Sequence, residues 1–314
     1  QCLRSTSRIH TGPADLGVCR ASLLSRNAST GRISRRLRAY RHRAGCQWAG
    51  IPMGRDNARM SFRFLNAGDT ALTIEFGDGV ERRLLAAVSA LDAALTEVIA
   101  SGGLRGVVET VPTFRSLTVI YDPLLTSHAA IEAGIRAVLG APVMPGRRRG
   151  RLWQLPVCYG DQLAACGPDL GDLASACGLT PAAVVRLHAS LNCEVYMLGF
   201  LPGFPFMGDL PEVLSRPRRS EPRLRVPAGS VATAGTLTAI YPYESPGGWH
   251  LIGACPLPLF SAAWPQAALL RPGDRVCWRA IEVAEYRQLV AEMAERRASP
   301  WPPREFLLDA AVDG

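Results

Sequence analysis

The chain of 314 residues carries 35 basic and 27 acidic side chains, a formal net charge of +8, and 48% of it is hydrophobic. This is enough apolar sequence for two domains, each with a core of its own. The excess charge is local, because residues 1–52 hold ten arginines against the single acid Asp15. The rest of the chain is close to neutral, so the net charge does not indicate a nucleic-acid-binding surface on the folded part.

All 35 basic residues are arginine, since the sequence contains no lysine. Schiff-base catalysis and a Walker-type phosphate loop both require lysine and are therefore excluded. No run approaches the roughly 18 apolar residues that a membrane span needs. The nine cysteines form no C-x-x-C pair, and no HxH, HExxH or paired-carboxylate motif is present. These features predict a cytoplasmic protein without disulfides and without a metal site.

Residues 1–58 lack any apolar periodicity and mix Arg, Ser, Gly and Cys. We predict that they form a disordered basic extension, which can be removed without exposing core. Three alternatives remain open for this segment. They are a start of the chain at Met53 or Met60, an organelle transit peptide, and RNA binding through residues 35–43.

Residues 59–145 are predicted to form a small α+β domain. The pattern alternates between strand-like and helix-like spacing of apolar residues. The predicted elements are two strands within 62–76, a helix over 80–99, strands at 107–111 and 117–121, and a helix over 127–139. This order is typical of one sheet covered by helices on one face. Nothing in the domain predicts catalysis.

Residues 150–282 are predicted to form a β-barrel domain, after a linker rich in Pro, Gly and Arg. Its short strands are separated by proline and glycine turns, as in many barrels. The predicted elements are a strand at 152–157, helices over 168–176 and 181–190, and strands at 193–200, 230–233, 236–241, 249–253 and 275–279. Residues 283–314 complete the chain with the remainder of a helix that starts at residue 281 and a proline-containing end that we expect to fray.

Two loops held by glycine and proline predict a pocket at one end of this barrel. The first, VYMLGFLPGFPFMGDLP over residues 195–211, presents several phenylalanines on a bent backbone. The second is YPYESPGGW over residues 241–249, and an arginine-rich stretch, residues 216–225, lies between the two loops. Rigid loops beside a cationic segment suit an anionic ligand. The alternative is that the aromatic side chains only cap the barrel.

Four motifs closely resemble the KipI family, which includes the B subunit of bacterial 5-oxoprolinase and allophanate hydrolase subunit 1. The motifs lie at residues 188–211, 216–230, 240–253 and 270–276, and the resemblance extends over residues 62–280. It implies an N-terminal α+β domain followed by a cyclophilin-like β-barrel. The family's usual Q-T-G is replaced here by Leu237-Thr238-Ala239. This departure removes an amide from a predicted pocket loop.

The resemblance implies a subunit of an ATP-dependent 5-oxoprolinase, which opens 5-oxo-L-proline to L-glutamate. The implied partners are a protein of the allophanate hydrolase subunit 2 type and a LamB-type protein, with ATP shared among the subunits. Two other classes occur on the same scaffold. One is an inhibitor of a histidine kinase, and the other is a carboxyltransferase or allophanate hydrolase subunit 1 of urea metabolism. Fold alone does not choose among them.

Within these motifs, His188 is the predicted catalytic residue, acting as a general base or as a hydrogen-bond donor. A histidine interacting with a helix C-terminus is the alternative. We predict that Arg219 and Arg223 bind a carboxylate or phosphate of the substrate. Phe204, Thr238, Pro246 and Gly247 complete the predicted substrate-binding set. Cys193 and Cys255 are predicted to be buried thiols rather than nucleophiles.

Overall fold

The computed structural model describes residues 61–140, 150–160, 166–296, 299 and 302–309. The predicted basic extension and most of the predicted linker lie outside these residues, so both remain predictions. None of the described helices is long and apolar enough to cross a membrane.

The N-terminal domain is one antiparallel sheet with two helices on one face. Its elements are β1 (Arg63–Asn66), β2 (Ala71–Glu75), α1 (Arg82–Ala100), β3 (Val107–Pro112), β4 (Ser116–Tyr121) and α2 (His128–Leu139). The strands lie in the order β1-β2-β4-β3. The fully buried apolar side chains of the core come from β2, β4 and both helices: Leu72, Ile74, Leu117, Val119, Val88, Leu91, Leu95, Ile131 and Ile135. Every element predicted for this domain is confirmed.

The second domain is a closed barrel of seven strands. Its elements are β5 (Leu152–Tyr159), α3 (Leu170–Ala176), α4 (Pro181–Ala189), β6 (Asn192–Leu198), β7 (Pro205–Gly208), β8 (Arg223–Val226), β9 (Ser230–Ala234), β10 (Leu237–Ile240), β11 (Ser245–Gly247), β12 (His250–Ala254), β13 (Arg275–Ala280), α5 (Val283–Glu295) and β14 (Leu307–Asp309). The barrel order is β12-β9-β10-β7-β6-β13-β5, and pairing of β5 with β12 closes it. The predicted barrel is confirmed, and its narrower description as cyclophilin-like stays a prediction.

Three short strands were not predicted because they lie in loops rich in proline and glycine. Strand β7 runs within the first loop, and β8 of the arginine-rich stretch pairs with β11 of the second loop. The expectation that the chain frays after Ser299 is wrong for its last described segment. Strand β14 pairs with β5, and Phe306 and Leu307 pack against the barrel core.

The carboxylate of Asp274 joins the start of β5 to the turn before β13. It is only 2% exposed and accepts hydrogen bonds from the backbone N–H and guanidinium of Arg151, the indole of Trp153 and the backbone N–H of Arg271. A buried charge is tolerated when it is paired and its lone pairs are satisfied in this way. The parallel pair of β5 and β13 thus begins at an electrostatic anchor.

Among the described residues, the ring of Phe114 and an ion pair connect the two domains. Phe114, in the turn between β3 and β4, lies edge-to-face against Tyr196 and Phe206 of the barrel, at ring-centroid distances of 6.1 and 5.7 Å. Arg82, the first residue of α1, pairs with Asp209, which directly follows β7. The N-terminal domain therefore rests on strands β6 and β7.

Replacing Asp274 with Asn should lower the free energy of unfolding by about 3 kcal/mol, because the partly buried Arg151 guanidinium loses its counter-charge. Urea unfolding monitored by circular dichroism measures the change. The matched control is Asp78→Asn, whose side chain is 92% exposed and should alter stability by about 0.5 kcal/mol or less. Equal, small effects of both substitutions would contradict the anchoring role of Asp274.

Candidate functional site

The predicted pocket loops are packed together by a cluster of aromatic rings. Phe204 is buried at its centre, with ring-centroid distances of 4.9 Å to Phe206, 5.1 Å to Tyr241 and 6.1 Å to Trp249. A side chain at Gly247 would place its Cβ 2.3 Å from the Tyr241 hydroxyl oxygen. Only glycine fits there, so close packing against Tyr241 explains the residue type at position 247.

Arg219 and Arg223 do bind a carboxylate, and it is that of Asp169 in the same chain. Arg219 Nη1 lies 2.9 Å from Asp169 Oδ1, and Arg223 Nη1 and Nη2 lie 2.8 and 2.6 Å from Oδ2 and Oδ1. Asp169 is 2% exposed and also accepts from the Leu251 backbone N–H at 2.7 Å. A substrate carboxylate would compete with Asp169 for the guanidinium atoms that already bind it, whereas Arg219 Nε has no hydrogen-bond partner among the described residues.

The β8–β11 ribbon brings most of the predicted substrate-binding residues into one region. Arg223 pairs with Gly247 in the ribbon, and the Arg219 backbone N–H donates to the Gly248 carbonyl at 2.8 Å. Pro246 lies exposed between Ser245 and Gly247 of β11. The aromatic cluster around Phe204 adjoins Gly247 through Tyr241. Substrate binding by this group remains a prediction.

His188 lies apart from that region, at 0% exposure in the barrel interior. Its Nδ1 is 2.8 Å from the Tyr159 hydroxyl, and its Nε2 is 3.0 Å from the hydroxyl of Thr238. The Thr238 hydroxyl donates to the Ala232 carbonyl at 3.1 Å. It must therefore accept from His188, which assigns the proton to Nε2 and leaves Nδ1 to accept from Tyr159.

This hydrogen-bonded chain satisfies both ring nitrogens of a neutral His188. Burial lowers the pKa of His188 to about 3, since a protonated ring would be desolvated. The ring also packs against Trp278 at a centroid distance of 4.7 Å. A general base must reach the proton that it abstracts, and His188 has no exposed surface. The geometry favours a structural role, and the catalytic role of His188 stays a prediction.

The remaining sequence-derived residues also lie in packed positions. Cys193 and Cys255 are buried, and burial raises the pKa of their thiols to about 11 and about 12. Their prediction as buried thiols is confirmed. Leu237 packs beside the Phe204 cluster, and Ala239 is buried within it. The departure from Q-T-G therefore adds apolar side chains that pack against the aromatic cluster.

A second polar group, which the sequence motifs did not predict, lies between the domains. Tyr196 donates its hydroxyl to Asp209, which also pairs with Arg82. They border a pocket of about 60 Å³ that is also lined by Phe114 and Thr236. Burial and the neighbouring Asp209 charge raise the pKa of Tyr196, so its phenol stays protonated. Within the described residues, no group of three or more His, Cys, Asp or Glu side chains could hold a metal ion.

A signal for this group did exist in the sequence. Tyr196 and Asp209 both lie inside the loop motif of residues 195–211, and Phe114 lies in another stretch that resembles the KipI family. The pocket predicted from that motif depends on its glycines, prolines and phenylalanines, and not on Tyr196 or Asp209. Arg82 belongs to none of the four motifs. It lies beside Asp209 only because the start of α1 contacts the barrel in the folded chain.

The profile of the carboxyltransferase domain, subdomain C and D, matches residues 62–270. The chain belongs to this family. It is 36% identical to the 5-oxoprolinase B subunit of Bacillus subtilis over 229 residues, which cover 70% of this chain and 92% of that protein. The resemblance to this type of subunit that the motifs predict is confirmed.

Several solved structures share the fold. The protein TTHA0988 is 36% identical, with a TM-score of 0.57 over 68% of this chain, and the chain spans only 40% of the length of TTHA0988. The urea carboxylase of Kluyveromyces lactis gives a TM-score of 0.59 at 17% identity, over 79% of this chain and 24% of the enzyme. At that identity the likeness extends to the fold alone.

The depressed pKa of His188 should make the protein less stable in acid. An unfolded histidine takes up a proton below about pH 6.5, whereas His188 in the folded chain stays neutral down to about pH 3. The unfolded state thus binds more protons in this window, and stability should fall by about 1.4 kcal/mol per pH unit as the pH decreases. Urea titrations between pH 7 and 5 measure the slope.

The comparison variant is His188→Gln, which removes the titrating side chain. The slope of stability against pH should therefore decrease by about 1.4 kcal/mol per pH unit. If His188→Gln left the slope unchanged, a neutral buried His188 would be contradicted.

Replacing Arg223 with Gln should lower the free energy of unfolding by about 3 kcal/mol, because the buried Asp169 loses two charge-assisted hydrogen bonds. Arg225→Gln is the control, since Arg225 forms an exposed pair with Glu244 worth about 0 to 1 kcal/mol. Combining Arg223→Gln with Asp169→Asn should recover part of the loss. A weakened substrate response with unchanged stability would instead indicate the predicted substrate role.

Proposed function

We propose that this chain is the B subunit of an ATP-dependent 5-oxoprolinase complex, a cytoplasmic hydrolase that opens 5-oxo-L-proline to L-glutamate. The observation that carries the proposal is the likeness to the Bacillus subtilis 5-oxoprolinase B subunit over 92% of that protein. This relative is named as a subunit, which supports a chain that works with others. The closed barrel also supports the cyclophilin-like architecture that the motifs predict.

The chemistry of the chain supports a shared active site. It has no lysine to contact phosphates, and the pocket between its domains measures about 60 Å³. Sites for drug-sized and cofactor-sized ligands are typically about 300 to 1,000 Å³, so a nucleotide does not fit in this pocket. We therefore assign ATP to a site shared with, or held by, the partners of the allophanate hydrolase subunit 2 type and the LamB type.

Reconstitution tests this assignment. Co-expression with a subunit 2-type and a LamB-type partner should give ATP hydrolysis that depends on 5-oxo-L-proline and yields glutamate. The chain alone, and the two partners without it, should each be inactive. Full activity from this chain alone would contradict the shared site. Urea and allophanate, assayed with the same complex, test the alternative of urea metabolism, which predicts turnover of these compounds instead.

A further inference from the structure

The turn between β6 and β7 presents the ring of Phe200 to solvent. Phe200 is 64% exposed, although a phenylalanine side chain gains free energy when it leaves water. Its ring lies edge-to-face against the buried ring of Phe204, at a centroid distance of 5.4 Å. The aromatic cluster of the barrel therefore supports Phe200 from below and leaves most of it uncovered.

The backbone holds Phe200 in a conformation that a bulky residue rarely adopts. Its φ is 68°, in the left-handed region that favours glycine. Three backbone hydrogen bonds close the turn, from Gly199 to Phe204 at 3.1 Å, from Phe204 to Leu201 at 3.0 Å and from Leu201 to Gly199 at 2.8 Å. Strain of this kind is concentrated at functional sites. The turn also orients the ring before a partner arrives, which lowers the entropic cost of binding.

Two more aromatic rings extend this exposed region. A side chain at Gly203 would place its Cβ 2.8 Å from the Cβ of Phe260, so the turn packs directly against Phe260. The half-buried ring of Phe260 lies 6.3 Å from that of Tyr243, which is 43% exposed. We call Phe200, Tyr243 and Phe260 the aromatic surface. It joins the turn after β6 to the second loop.

The polar residues near the aromatic surface carry an excess of positive charge. Glu244 pairs with Arg225 in an exposed ion pair, so its charge is matched. Arg218 is exposed and forms no salt bridge within the described part of the chain; it lies over the ring of Trp249 at 5.9 Å. The Trp249 ring in turn contacts Phe204, which supports the exposed turn. A complementary surface would therefore be apolar at its centre and acidic at its border.

The shape of the aromatic surface indicates a protein partner. Small-molecule sites are concave and enclose their ligand, whereas Phe200 projects from a turn. A projecting aromatic side chain that is held in place is typical of an interface hot spot, which fills a pocket on the partner. Because this chain spans only 40% of TTHA0988, the same fold is accompanied by further polypeptide in that relative.

We propose that the aromatic surface binds the partner of the allophanate hydrolase subunit 2 type, with the ring of Phe200 in an apolar pocket that carboxylates border. The choice of this partner rests on the proposed function. The location of the surface rests on the exposure and backbone geometry of Phe200. The unmatched charge of Arg218 accelerates association with the acidic border.

Biolayer interferometry of the full chain with the purified subunit 2-type partner tests the surface. Phe200→Gly and Tyr243→Ala should each raise the Kd about tenfold or more, since each removes an aromatic anchor. Glycine adopts a positive φ without strain, so Phe200→Gly should keep the thermal midpoint within about 4 °C of the wild type. The control is Leu124→Ala, at a position that is 92% exposed on the N-terminal domain, and it should bind like the wild type. Wild-type affinity in folded Phe200→Gly and Tyr243→Ala, or no binding by the wild-type chain, would overturn the proposal.

Two further measurements identify what covers the surface. Arg218→Gln should lower the association rate several-fold at low ionic strength, and added salt should reduce this difference. An unchanged rate would overturn the acidic border. Sedimentation velocity should give the same mass for the wild-type chain alone and for Phe200→Gly. A wild-type dimer that dissociates in Phe200→Gly would show that a second copy covers the surface and would overturn the proposal.

Turnover by the reconstituted complex separates this proposal from the proposed function. A complex that hydrolyses 5-oxo-L-proline and forms equally well with Phe200→Gly keeps the proposed function and overturns the surface. A complex that requires Phe200 to form, but does not turn over 5-oxo-L-proline, keeps the surface and overturns the proposed function.

Discussion

The architecture of the barrel domain depends on the buried carboxylate of Asp274. Its donors come from Arg151 and Trp153 at the start of β5 and from Arg271 in the turn before β13, so one ion sets where two parallel strands begin. Strand β5 then pairs with β13, β12 and β14. Because the pairing of β5 with β12 closes the barrel, a displaced β5 would leave open sheet edges with unpaired backbone groups.

The same physical rule explains the intramolecular partners of the residues for which the sequence predicts a role in binding or catalysis. Asp169 holds Arg219 and Arg223, and Tyr159 and Thr238 saturate His188, because a buried polar group is stable only with its partners. The Asp169 carboxylate and both ring nitrogens of His188 make their hydrogen bonds inside the chain.

The sequence is sufficient for the elements whose apolar period is long and regular, such as α1, α2 and β5. It does not predict β7, β8 and β11, since a strand of three or four residues among prolines and glycines has no measurable period. The sequence also does not predict which residues that are distant along the chain contact each other in the fold. Asp169 and Arg219 are 50 residues apart, and only the packed barrel brings them together. Family motifs identify the scaffold, but they do not assign the role of each side chain.

The parallel pairing of β5 with β13 also constrains how the chain folds. Arg151 and Asp274 are 123 residues apart, and the ladder between their strands forms only after that long loop has closed, which is entropically costly. During synthesis, β5 leaves the ribosome well before β13. The N-terminal domain can assemble in this interval because its strands and helices lie within about 80 residues. The barrel cannot close until β13 has been synthesised, so β5 stays unpaired on its β13 side during this interval. At this stage the incomplete sheet is prone to aggregation, and chaperones would protect it.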